Sequence, residues 1–581
     1  METNTLYYGD NLEILRKRVA NDSIDLIYLD PPFNSKADYN ILFKELSGEA
    51  SRAQIQAFSD FWHWDVEARH AYEFLTTQSS NYNLSRLIQS LYGFLGKNDM
   101  LAYLVMMAIR LQELHRVLKS SGSLFIHCDP TASHYLKILL DAIFDPRNFR
   151  NEIIWRRTGA HGAKRSFAPI HDTLLFYTKT SDYYFKEVKK PYMKGHVDTR
   201  YTKDDSGEYK FTSGGNILTG AGATKGESGK VWRGFDPTAK NRHWAVPQYL
   251  TEQMPPEFGR LSVLEKLEYL YKEGFIEIKE GSAWPTPVRY LRPDDGQPLP
   301  DIWAAQPYTE GTVFETNDII DADVAWLGTT DPERLGYQTQ KPLGLLERII
   351  KSACPDNGIV LDPFCGCGTA IIAAEKLRRK WIGIDITYLA INLVKNRLKD
   401  AFPQATFNVE GEPRDLGAAI ELAKDRYQFQ WWALSLVGAR PLGATATDPT
   451  RGKKGADKGI DGWLRFSDGP EGNVETIIVQ VKSGKVGVKD IREFRDVIQN
   501  RKAAIGLFTT LEAPTRDMID EAKQTEPYIS PRWKHEFPKI QILTIEELLE
   551  GIRPNIPTTI NPYKEASIEK RFDNTHQSTL T

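Results

Sequence analysis

The residues of this 581-residue chain whose types best suit a chemical reaction form one short loop, Asp30-Pro31-Pro32-Phe33. The Asp30 carboxylate and the Pro31 carbonyl can accept hydrogen bonds from the two N–H groups of an exocyclic amine. Such bonds favour a pyramidal nitrogen and offset the charge that develops during methyl transfer. Pro32 stiffens the loop, and Phe33 offers a flat apolar face on which an extruded base could stack. Alone, the four residues also fit an ordinary turn, but their chemistry predicts methylation of a nucleobase amine.

A second loop has the residue types of a cofactor site. Residues 361–369 read Leu-Asp-Pro-Phe-Cys-Gly-Cys-Gly-Thr and lie between a predicted strand and a predicted helix. Gly366 and Gly368 lack Cβ atoms, so the backbone can turn tightly and approach a ligand at the carboxyl end of the strand. Asp385 ends the next predicted strand, where it can accept hydrogen bonds from ribose hydroxyls. A glycine-rich turn is often only structural, and the absence of the GxGxxG fingerprint weakens a nicotinamide interpretation.

Both loops follow strands of an alternating pattern. Apolar runs alternate with segments of helical spacing, which predicts strands at 24–29, 123–127, 358–361 and 381–386 and helices at 101–118, 369–377 and 389–398. Such alternation predicts an α/β fold with a doubly wound, mostly parallel sheet. From residue 411 onward, further predicted helices and strands indicate a smaller mixed α/β domain.

The stretch between the two halves of this pattern, residues 151–337, is irregular and too long for a connecting loop. We therefore predict an inserted domain. Residues 147–203 contain 13 Lys and Arg against 5 Asp and Glu, interleaved with aromatic residues. Basic and aromatic side chains together are typical of a nucleic-acid surface, although such a run also fits a solvated charged face.

Composition narrows the class of protein. The 74 basic and 77 acidic side chains leave a net charge of −3, so any nucleic-acid-binding face must be local. Four cysteines are too few for a disulfide framework and indicate a reducing compartment, and the single Cys365-x-Cys367 pair is a poor zinc signature. The N-terminus lacks a secretory pattern, and the longest apolar helical stretch, 101–109, is far shorter than the roughly 20 residues that span a bilayer. These features predict a cytoplasmic protein with no membrane partner.

With these motifs in place, the chain resembles the S-adenosylmethionine-dependent DNA amino-methyltransferases of the N4/N6 family, in the permuted order where the DPPF loop precedes the cofactor loop. Further resemblance lies in Gly9-Asp10-Asn11-Leu12, in the run Gln-Thr-Gln-Lys-Pro-Leu at 338–343, and in 151–155, 171–177 and 301–303. The resemblance implies a Rossmann-like sheet, S-adenosylmethionine as cofactor, double-stranded DNA as partner, and target recognition by the insert. It places the cofactor site at Gly9, Asp10, Gln340, Lys341, Asp362, Phe364, Gly366, Gly368, Thr369 and Asp385.

The same resemblance bears on the base that is methylated. Asp at the first position of the tetrapeptide resembles the adenine-N6 enzymes, whereas cytosine-N4 enzymes more often carry Ser there. A C5-cytosine mechanism needs a nucleophilic cysteine, in that family preceded by proline, and none of the four cysteines follows a proline. We therefore expect a site-specific adenine-N6 DNA methyltransferase of restriction-modification type. The alternatives are cytosine-N4 methylation, an RNA or protein amine as acceptor, and a DNA-binding scaffold with degenerate sites.

A second candidate site lies nearer the C-terminus. Gly459-Ile460-Asp461-Gly462 precedes the predicted strand 477–484, in which Gln480 and Lys482 face the same side. Asp461, the Gln480 amide oxygen and a strand carbonyl could hold Mg²⁺, and Lys482 could orient or deprotonate water. The pattern is similar to Mrr-type restriction endonuclease domains, with Gln in place of the usual acidic residue. The alternatives are an ordinary edge strand and a domain that holds DNA without cutting it.

These interpretations divide the chain into five parts. The predicted boundaries are 1–150 for the N-terminal methyltransferase part with the catalytic loop, 151–337 for the target-recognition insert, 338–410 for the cofactor-binding part, 411–555 for the restriction-endonuclease-like domain and 556–581 for a polar tail. A second copy of the chain or a restriction subunit is a further candidate partner.

Overall fold

A computed structural model describes the protein over residues 2–31, 63–160, 165–212, 215–251, 254–282, 284–292, 294–328, 331–335, 337, 339–441, 459–468 and 474–557. The chain divides into two compact units. The first comprises residues up to Lys186, Pro300–Ala305 and residues from Asp323 onward, and the second comprises Glu187–Leu299 and Gln306–Ala322. Within the described ranges, no helix is both long and apolar enough to cross a membrane.

The first unit is built on a nine-stranded sheet. Along the chain its strands are β1 (Thr5–Tyr8), β2 (Ile24–Leu29), β3 (Leu118–Cys128), β4 (Phe149–Arg156), β5 (His171–Thr178), β6 (Ile302–Trp303), β7 (Ile359–Asp362), β8 (Lys380–Asp385) and β9 (Asn408–Glu410). They lie in the order β6-β4-β5-β3-β2-β7-β8-β1-β9, and every neighbouring pair is parallel except the two that β5 makes. The predicted doubly wound, mostly parallel α/β sheet is confirmed.

Strands β4, β5 and β6 extend this sheet although nearly all of their residues fall within 151–337, the region predicted as the insert. β5 is buried along nearly its whole length and pairs with both β3 and β4. The compact second unit begins only after it, at Glu187. We did not predict β5 as a strand, because the sequence on either side of its short apolar run is basic and irregular. This run contributes to the buried core of the sheet. The predicted domain boundaries themselves stay predictions.

Helices cover both faces of the sheet. They are α1 (Asn11–Arg18), α2 (Val66–Thr77), α3 (Tyr82–Leu95), α4 (Asp99–Val117), α5 (Ser133–Phe144), α6 (Leu343–Ala353), α7 (Thr369–Lys376) and α8 (Tyr388–Ala401). Successive side chains of a strand point to opposite faces, and in β2 Ile27 and Leu29 pack into one apolar core whereas Leu26 and Tyr28 pack into the other. Burial on both faces explains why β2 is mostly apolar, and its one charged residue, Asp25, forms an ion pair with Lys119 over 2.8 Å.

The second unit consists of short elements around an aromatic core. Its helices are Lys194–Arg200, Gln248–Thr251 and Val263–Lys272, and its strands are Lys189–Lys190, Thr202–Lys203, Tyr209–Thr212, Thr219–Ala221, Arg242–Trp244, Ile276–Glu277, Thr286–Tyr290 and Gln297–Pro298. The strands pair in small antiparallel sheets. Trp232, Trp244 and Phe258 lie in the core, and the Arg233 guanidinium lies 3.9 Å from the centre of the Tyr271 ring. Large aromatic side chains supply much of the buried area of so small a core.

After β9 the chain builds a smaller mixed sheet, which we call the C-terminal domain. Its elements are α9 (Leu416–Leu422), α10 (Arg426–Leu436), β10 (Arg440–Pro441), β11 (Gly462–Ser467), β12 (Val474–Lys482), α11 (Val488–Asn500), β13 (Ile505–Thr510), α12 (Arg516–Lys523), β14 (Tyr528–Ile529), β15 (Glu536–Phe537), β16 (Ile540–Thr544) and α13 (Ile545–Leu549). The sheet order is β10-β11-β12-β13-β16, antiparallel from β10 to β12 and parallel from β12 to β16. The predicted smaller α/β domain is confirmed, and residues 558–581 of the predicted tail lie outside the described residues.

Candidate active site

The sheet order brings the two chemically promising loops together. β2 and β7 are adjacent parallel strands, with Leu26 paired to Val360. Parallel strands end at the same edge of a sheet, so the loops that begin at Asp30 and Pro363 leave the sheet side by side. The ends of β8 and β1 follow along the same edge.

Asp30 and Lys341 form a buried ion pair at this edge. Lys341 Nζ donates one hydrogen bond to Asp30 Oδ2 and another, 3.1 Å long, to the Thr339 carbonyl. The side chains of Lys341 and Asp30 are only 8% and 16% exposed, so the pairing neutralises two charges that are largely withdrawn from water. Lys341 was predicted to line the cofactor, and the structure places its ammonium on the predicted catalytic carboxylate. The other residues of the tetrapeptide are Pro31, which is buried, and Pro32 and Phe33, which lie outside the described residues.

A buried arginine ties the loop after β1 to the loop after β7. Arg110 in α4 donates to the Asp10 carboxylate over 2.8 Å and to the side-chain oxygen of Asn11 over 2.7 Å. Asn11 donates to the Pro363 carbonyl over 2.9 Å, and Asp10 also caps α1 by accepting from the Leu12 amide. Sequence reasoning missed Arg110. The signal was a charged residue inside an otherwise apolar helix, which is rarely buried without a partner.

The glycine loop adopts conformations that other residues rarely take. Gly366 and Gly368 have φ angles of +47° and +77°, in the left-handed region. A Cβ on Gly368 would lie 2.5 Å from the side chain of Val394 in α8, so this close approach also requires glycine. Tyr337, which sequence reasoning did not single out, contacts Gly366, where a Cβ would lie 3.2 Å from the tyrosine hydroxyl. Burial raises the pKa of Tyr337 well above its usual value, so its hydroxyl stays neutral.

Asp385 at the end of β8 holds the glycine loop in place. Its carboxylate accepts hydrogen bonds from the Gly366 amide over 2.9 Å, from the Thr387 amide over 2.9 Å and from the Thr387 hydroxyl over 2.8 Å. Its backbone carbonyl accepts from the Gly9 amide over 3.0 Å. Burial raises the pKa of Asp385, and the hydrogen bonds to its carboxylate oppose that rise. An acidic side chain beside a close-approach glycine backbone at this edge fits a nucleoside cofactor.

The remaining predicted cofactor residues support neighbouring loops. Gln340 secures its own loop by donating from Nε2 to the Glu333 carbonyl over 2.7 Å. Thr369 begins α7, and Arg397 of α8 donates to the Cys367 carbonyl just before it over 2.6 Å. These contacts shape the turn that a cofactor would approach. Arg397 is a further residue that sequence reasoning missed, since its partner is a backbone carbonyl on another element.

Asp362 ends β7 and is almost completely buried. Burial raises the pKa of its carboxyl well above the usual range, while the hydrogen bond from the Phe364 amide, 3.1 Å from Oδ1, acts in the opposite direction. Phe364 itself is half-buried against the apolar core of the sheet. Asp362 is therefore protonated over part of the pH range in which an exposed aspartate is charged.

The Asp362→Asn variant tests this protonation through stability. A carboxyl whose pKa is raised in the folded state contributes most to the free energy of unfolding below about pH 4, and loses that contribution as the pH rises through the raised pKa. Asparagine stays neutral throughout. Scanning calorimetry gives the unfolding temperature of Asp362→Asn minus that of wild type at each pH. This difference should therefore increase as the pH rises above about 4 and should then level off. A difference that does not change with pH would contradict a raised pKa.

A mostly buried chain of polar side chains begins at Tyr28, two residues before Asp30. Tyr28 OH lies 3.3 Å from His127 Nδ1, His127 Nε2 lies 3.1 Å from Asp172 Oδ2, and Arg157 Nε lies 3.2 Å from Asp172 Oδ1. Burial opposes ionisation of Asp172, but the hydrogen bond with His127 and the charges of Lys341 and Arg157 outweigh burial and lower its pKa. Sequence reasoning missed this chain. Its signal was a polar side chain beside the apolar residues of each of β2, β3 and β5, because a polar group buried there needs a hydrogen-bond partner.

The second candidate site lies in a different sheet, that of the C-terminal domain. Gly462 pairs with Val479 across β11 and β12, which places the preceding residue, Asp461, next to Gln480. The Asp461 carboxylate accepts from the Val481 amide over 2.6 Å. The two residues that were predicted to hold a metal are thus brought together at the start of β11.

The chemistry of this second site centres on an oxygen without a partner. Gln480 is buried, and its Oε1 has no hydrogen-bond partner in the described part of the chain. An unsatisfied buried oxygen beside the Asp461 carboxylate fits a hard cation such as Mg²⁺, which usually keeps several waters. Over the same residues, no three His, Cys, Asp or Glu side chains gather as a metal site. Lys482 Nζ lies 3.3 Å from Asp490 Oδ1, so its ammonium is directed toward α11.

The fold and the first site define a class of protein, the α/β domains that take a nucleoside-containing cofactor at the carboxyl edge of a doubly wound sheet. A sequence profile of a DNA methylase family matches residues 24–396, which is more than half of the chain. The chain belongs to this DNA methylase family, whose members methylate at N6 or N4. A second profile, described as a restriction endonuclease, matches residues 427–550.

Individual relatives cover parts of the chain. It is 27% identical over 399 residues to the type II methyltransferase M.EcaI of Enterobacter cloacae, a match that spans 68% of this chain and 69% of the relative. It is 25% identical over 384 residues to the Mod subunit of the type III restriction-modification enzyme StyLTI of Salmonella typhimurium, a match that spans 65% of this chain but only 50% of that subunit. A solved structure, the cytosine-N4-specific PvuII DNA methyltransferase, covers 74% of this chain and 92% of its own at 12% identity, with a TM-score of 0.30. A structural likeness this weak carries no argument about substrate.

Proposed function

We propose that this chain is a site-specific DNA methyltransferase of restriction-modification type, which transfers a methyl group from S-adenosylmethionine to the N6 amine of adenine in double-stranded DNA. The observation that carries the proposal is the position of the largely buried Asp30 carboxylate and of the glycine loop 366–368 after two adjacent parallel strands. The family match supports DNA as the substrate. The aspartate at the first position of the tetrapeptide supports adenine over cytosine.

The proposed chemistry needs two hydrogen-bond acceptors at the amine. S-adenosylmethionine would supply a methyl group on a sulfonium, which is already an activated leaving group. The N–H groups of an extruded adenine donate to the Asp30 carboxylate and the Pro31 carbonyl, and this localises the lone pair on nitrogen. The nitrogen would bond to the methyl carbon while the carbon–sulfur bond breaks with its electron pair going to sulfur, which leaves as a neutral thioether. One N–H proton of the methylated amine would then pass to water. No metal ion takes part in this step.

Lys341 has a defined place in this scheme. Its ammonium holds Asp30 Oδ2, so we assign Oδ1 to the amine. Because Lys341 is itself anchored on the Thr339 carbonyl, the carboxylate is fixed before the base arrives. The cofactor would lie along the same edge, between walls formed by Gly9, Asp10, Gln340, Asp362, Phe364, Gly366, Gly368, Thr369 and Asp385.

The identity of the methylated base tests the proposal directly. Purified protein incubated with S-adenosylmethionine and genomic duplex DNA should produce N6-methyladenine, detected by mass spectrometry of the digested nucleosides. N4-methylcytosine in its place would identify the cytosine alternative. Methylation of RNA or peptide but not of duplex DNA would overturn the substrate class. A chain that binds DNA but not labelled S-adenosylmethionine would be a scaffold.

A second proposed activity is Mg²⁺-dependent DNA cleavage by the C-terminal domain. The specific observation in its favour is the unsatisfied, buried Gln480 Oε1 beside the Asp461 carboxylate. Asp461 and Gln480 would hold the ion, and Lys482 would orient or deprotonate the attacking water. The neutral amide at position 480 supplies less charge than a carboxylate, so we expect weak Mg²⁺ affinity.

Target recognition is assigned to the region between the two halves of the methyltransferase sheet, and double-stranded DNA is the expected partner. Its basic and aromatic composition supports this role. A second copy of the chain, or a restriction subunit of the kind that the type III relatives' names imply, is a further candidate partner. Gel filtration of the protein with and without a duplex that it methylates would separate these states.

A further inference from the structure

We propose that Gln428, a residue of the C-terminal domain, is a positioning residue for the cofactor loop of the methyltransferase sheet. The inference rests on the proposed methyl transfer, because it concerns binding of the cofactor for that reaction. It starts from the contact between helix α10 and helix α8. Gln428 Oε1 accepts a hydrogen bond from the Tyr388 amide over 3.0 Å, and Asn392 Nδ2 donates to the Trp431 carbonyl over 3.0 Å.

A continuous run of hydrogen bonds leads from this contact to the glycine loop. Tyr388 is the first residue of α8, and the preceding residue, Thr387, donates from both its amide and its hydroxyl to Asp385 Oδ1. Asp385 Oδ2 accepts from the Gly366 amide over 2.9 Å. Gln428 is therefore connected to Gly366 through the peptide bond between Thr387 and Tyr388 and through the side chains of Thr387 and Asp385. All of these residues belong to the same compact unit.

The members of this run from Gln428 to Asp385 are buried, so water cannot easily replace a hydrogen bond that is lost there. Gln428 is 7% exposed, and Thr387 and Tyr388 are completely buried. The Tyr388 amide lies in the first turn of α8, where the helix itself offers no acceptor. Without Gln428 this amide would be buried and unsatisfied, so the first turn of α8 would have to shift. Thr387, the N-cap of α8, would shift with it.

The same helix end also contacts the loop after β1. The rings of Tyr388 and Tyr8 stack with centroids 3.7 Å apart, and Tyr8 directly precedes Gly9. A displacement of Tyr388 would therefore disturb both loops that were predicted to meet the cofactor. Since binding free energies are reciprocal, cofactor binding would in turn stabilise the contact between α10 and α8.

The test is the affinity of the full-length chain for S-adenosylmethionine, measured by isothermal titration calorimetry. Gln428→Leu should raise Kd by about 5-fold or more. Gln428→Glu, which keeps an acceptor near the Tyr388 amide, should recover most of that loss. Gln541→Leu is the matched control. Gln541 is a buried glutamine of the same domain whose amide bonds, among the residues that the structure describes, to Asn555 and Pro538 alone, so its loss should leave Kd unchanged.

The outcomes separate this inference from the proposed function. If wild type does not bind S-adenosylmethionine, the proposed methyl transfer is wrong. If wild type binds and Gln428→Leu binds equally well, or if Gln541→Leu weakens binding as much, the positioning role is wrong. Should Gln428→Leu fail to fold, Gln428→Met takes its place, because it keeps the length of the side chain and removes the acceptor of the Tyr388 amide. An unchanged Kd in that variant would overturn the inference.

Discussion

Asp30→Ala is expected to lower the rate of DNA methylation by about 100-fold or more, because it removes the acceptor that stabilises the amine as positive charge develops on nitrogen. Binding of S-adenosylmethionine should stay nearly intact, because Asp30 follows β2, whereas the predicted cofactor residues follow β1, β7 and β8 or precede α6. Transfer of labelled methyl groups to duplex DNA measures the first effect, and calorimetric titration with S-adenosylmethionine measures the second.

The ion pair with Lys341 dictates the controls for this experiment. Removing Asp30 takes an anionic partner away from the largely buried Lys341 ammonium, which is itself destabilising. The double variant Asp30→Ala with Lys341→Met removes both charges and should recover stability but not methylation. Asp30→Asn keeps one acceptor oxygen and should retain more activity than alanine. If Asp30→Ala loses cofactor binding as fully as it loses methylation, the division between a catalytic loop and a cofactor loop is wrong.

Lys482→Ala is expected to lower the rate of Mg²⁺-dependent DNA cleavage by about 100-fold or more, because it removes the group assigned to orient or deprotonate the attacking water. Methylation should be unchanged, since Lys482 belongs to the sheet of the C-terminal domain and not to the nine-stranded sheet. Cleavage of plasmid DNA, both methylated and unmethylated, over a range of Mg²⁺ concentrations measures the effect.

Two variants sharpen the cleavage experiment. Lys489→Ala is the matched control, because this lysine is exposed on α11 and forms an ion pair with the exposed Glu493. Gln480→Glu adds the charge that the usual motif carries, and should lower the Mg²⁺ concentration needed for half-maximal cleavage. Cleavage that survives in Lys482→Ala, or that is absent from wild type on every DNA form, would contradict the proposed nuclease.

Local patterns specify the strands and the loops that follow them. The predicted strands at 358–361 and 381–386 differ by one residue from β7 and β8, and the helix predicted at 389–398 forms the middle of α8. These segments could be predicted because burial on both faces of a parallel sheet imposes short apolar runs, and because glycine and proline end them. The position of both loops at one sheet edge follows from the same pattern.

The partners of the site residues could not be predicted in this way. Lys341 meets Asp30 across 311 positions of sequence, and Arg110 meets Asp10 across 100. Which charged groups pair at such separations depends on the order of strands in the sheet and on the helices packed against it, and local periodicity carries no information about either. The same reason hid the chain from Tyr28 to Asp172 and the contact of Gln428 with α8.

The alternation of short apolar runs with segments of helical spacing thus sets the kind of fold, and the residue types of two loops set the chemistry that this fold can carry out. Strand order and the packing of helices on the sheet decide which side chain holds each reactive group, because only a folded chain brings together groups that are hundreds of residues apart. The sequence alone identifies Asp30 as a candidate reactive carboxylate, and only the folded structure shows that Lys341 holds it.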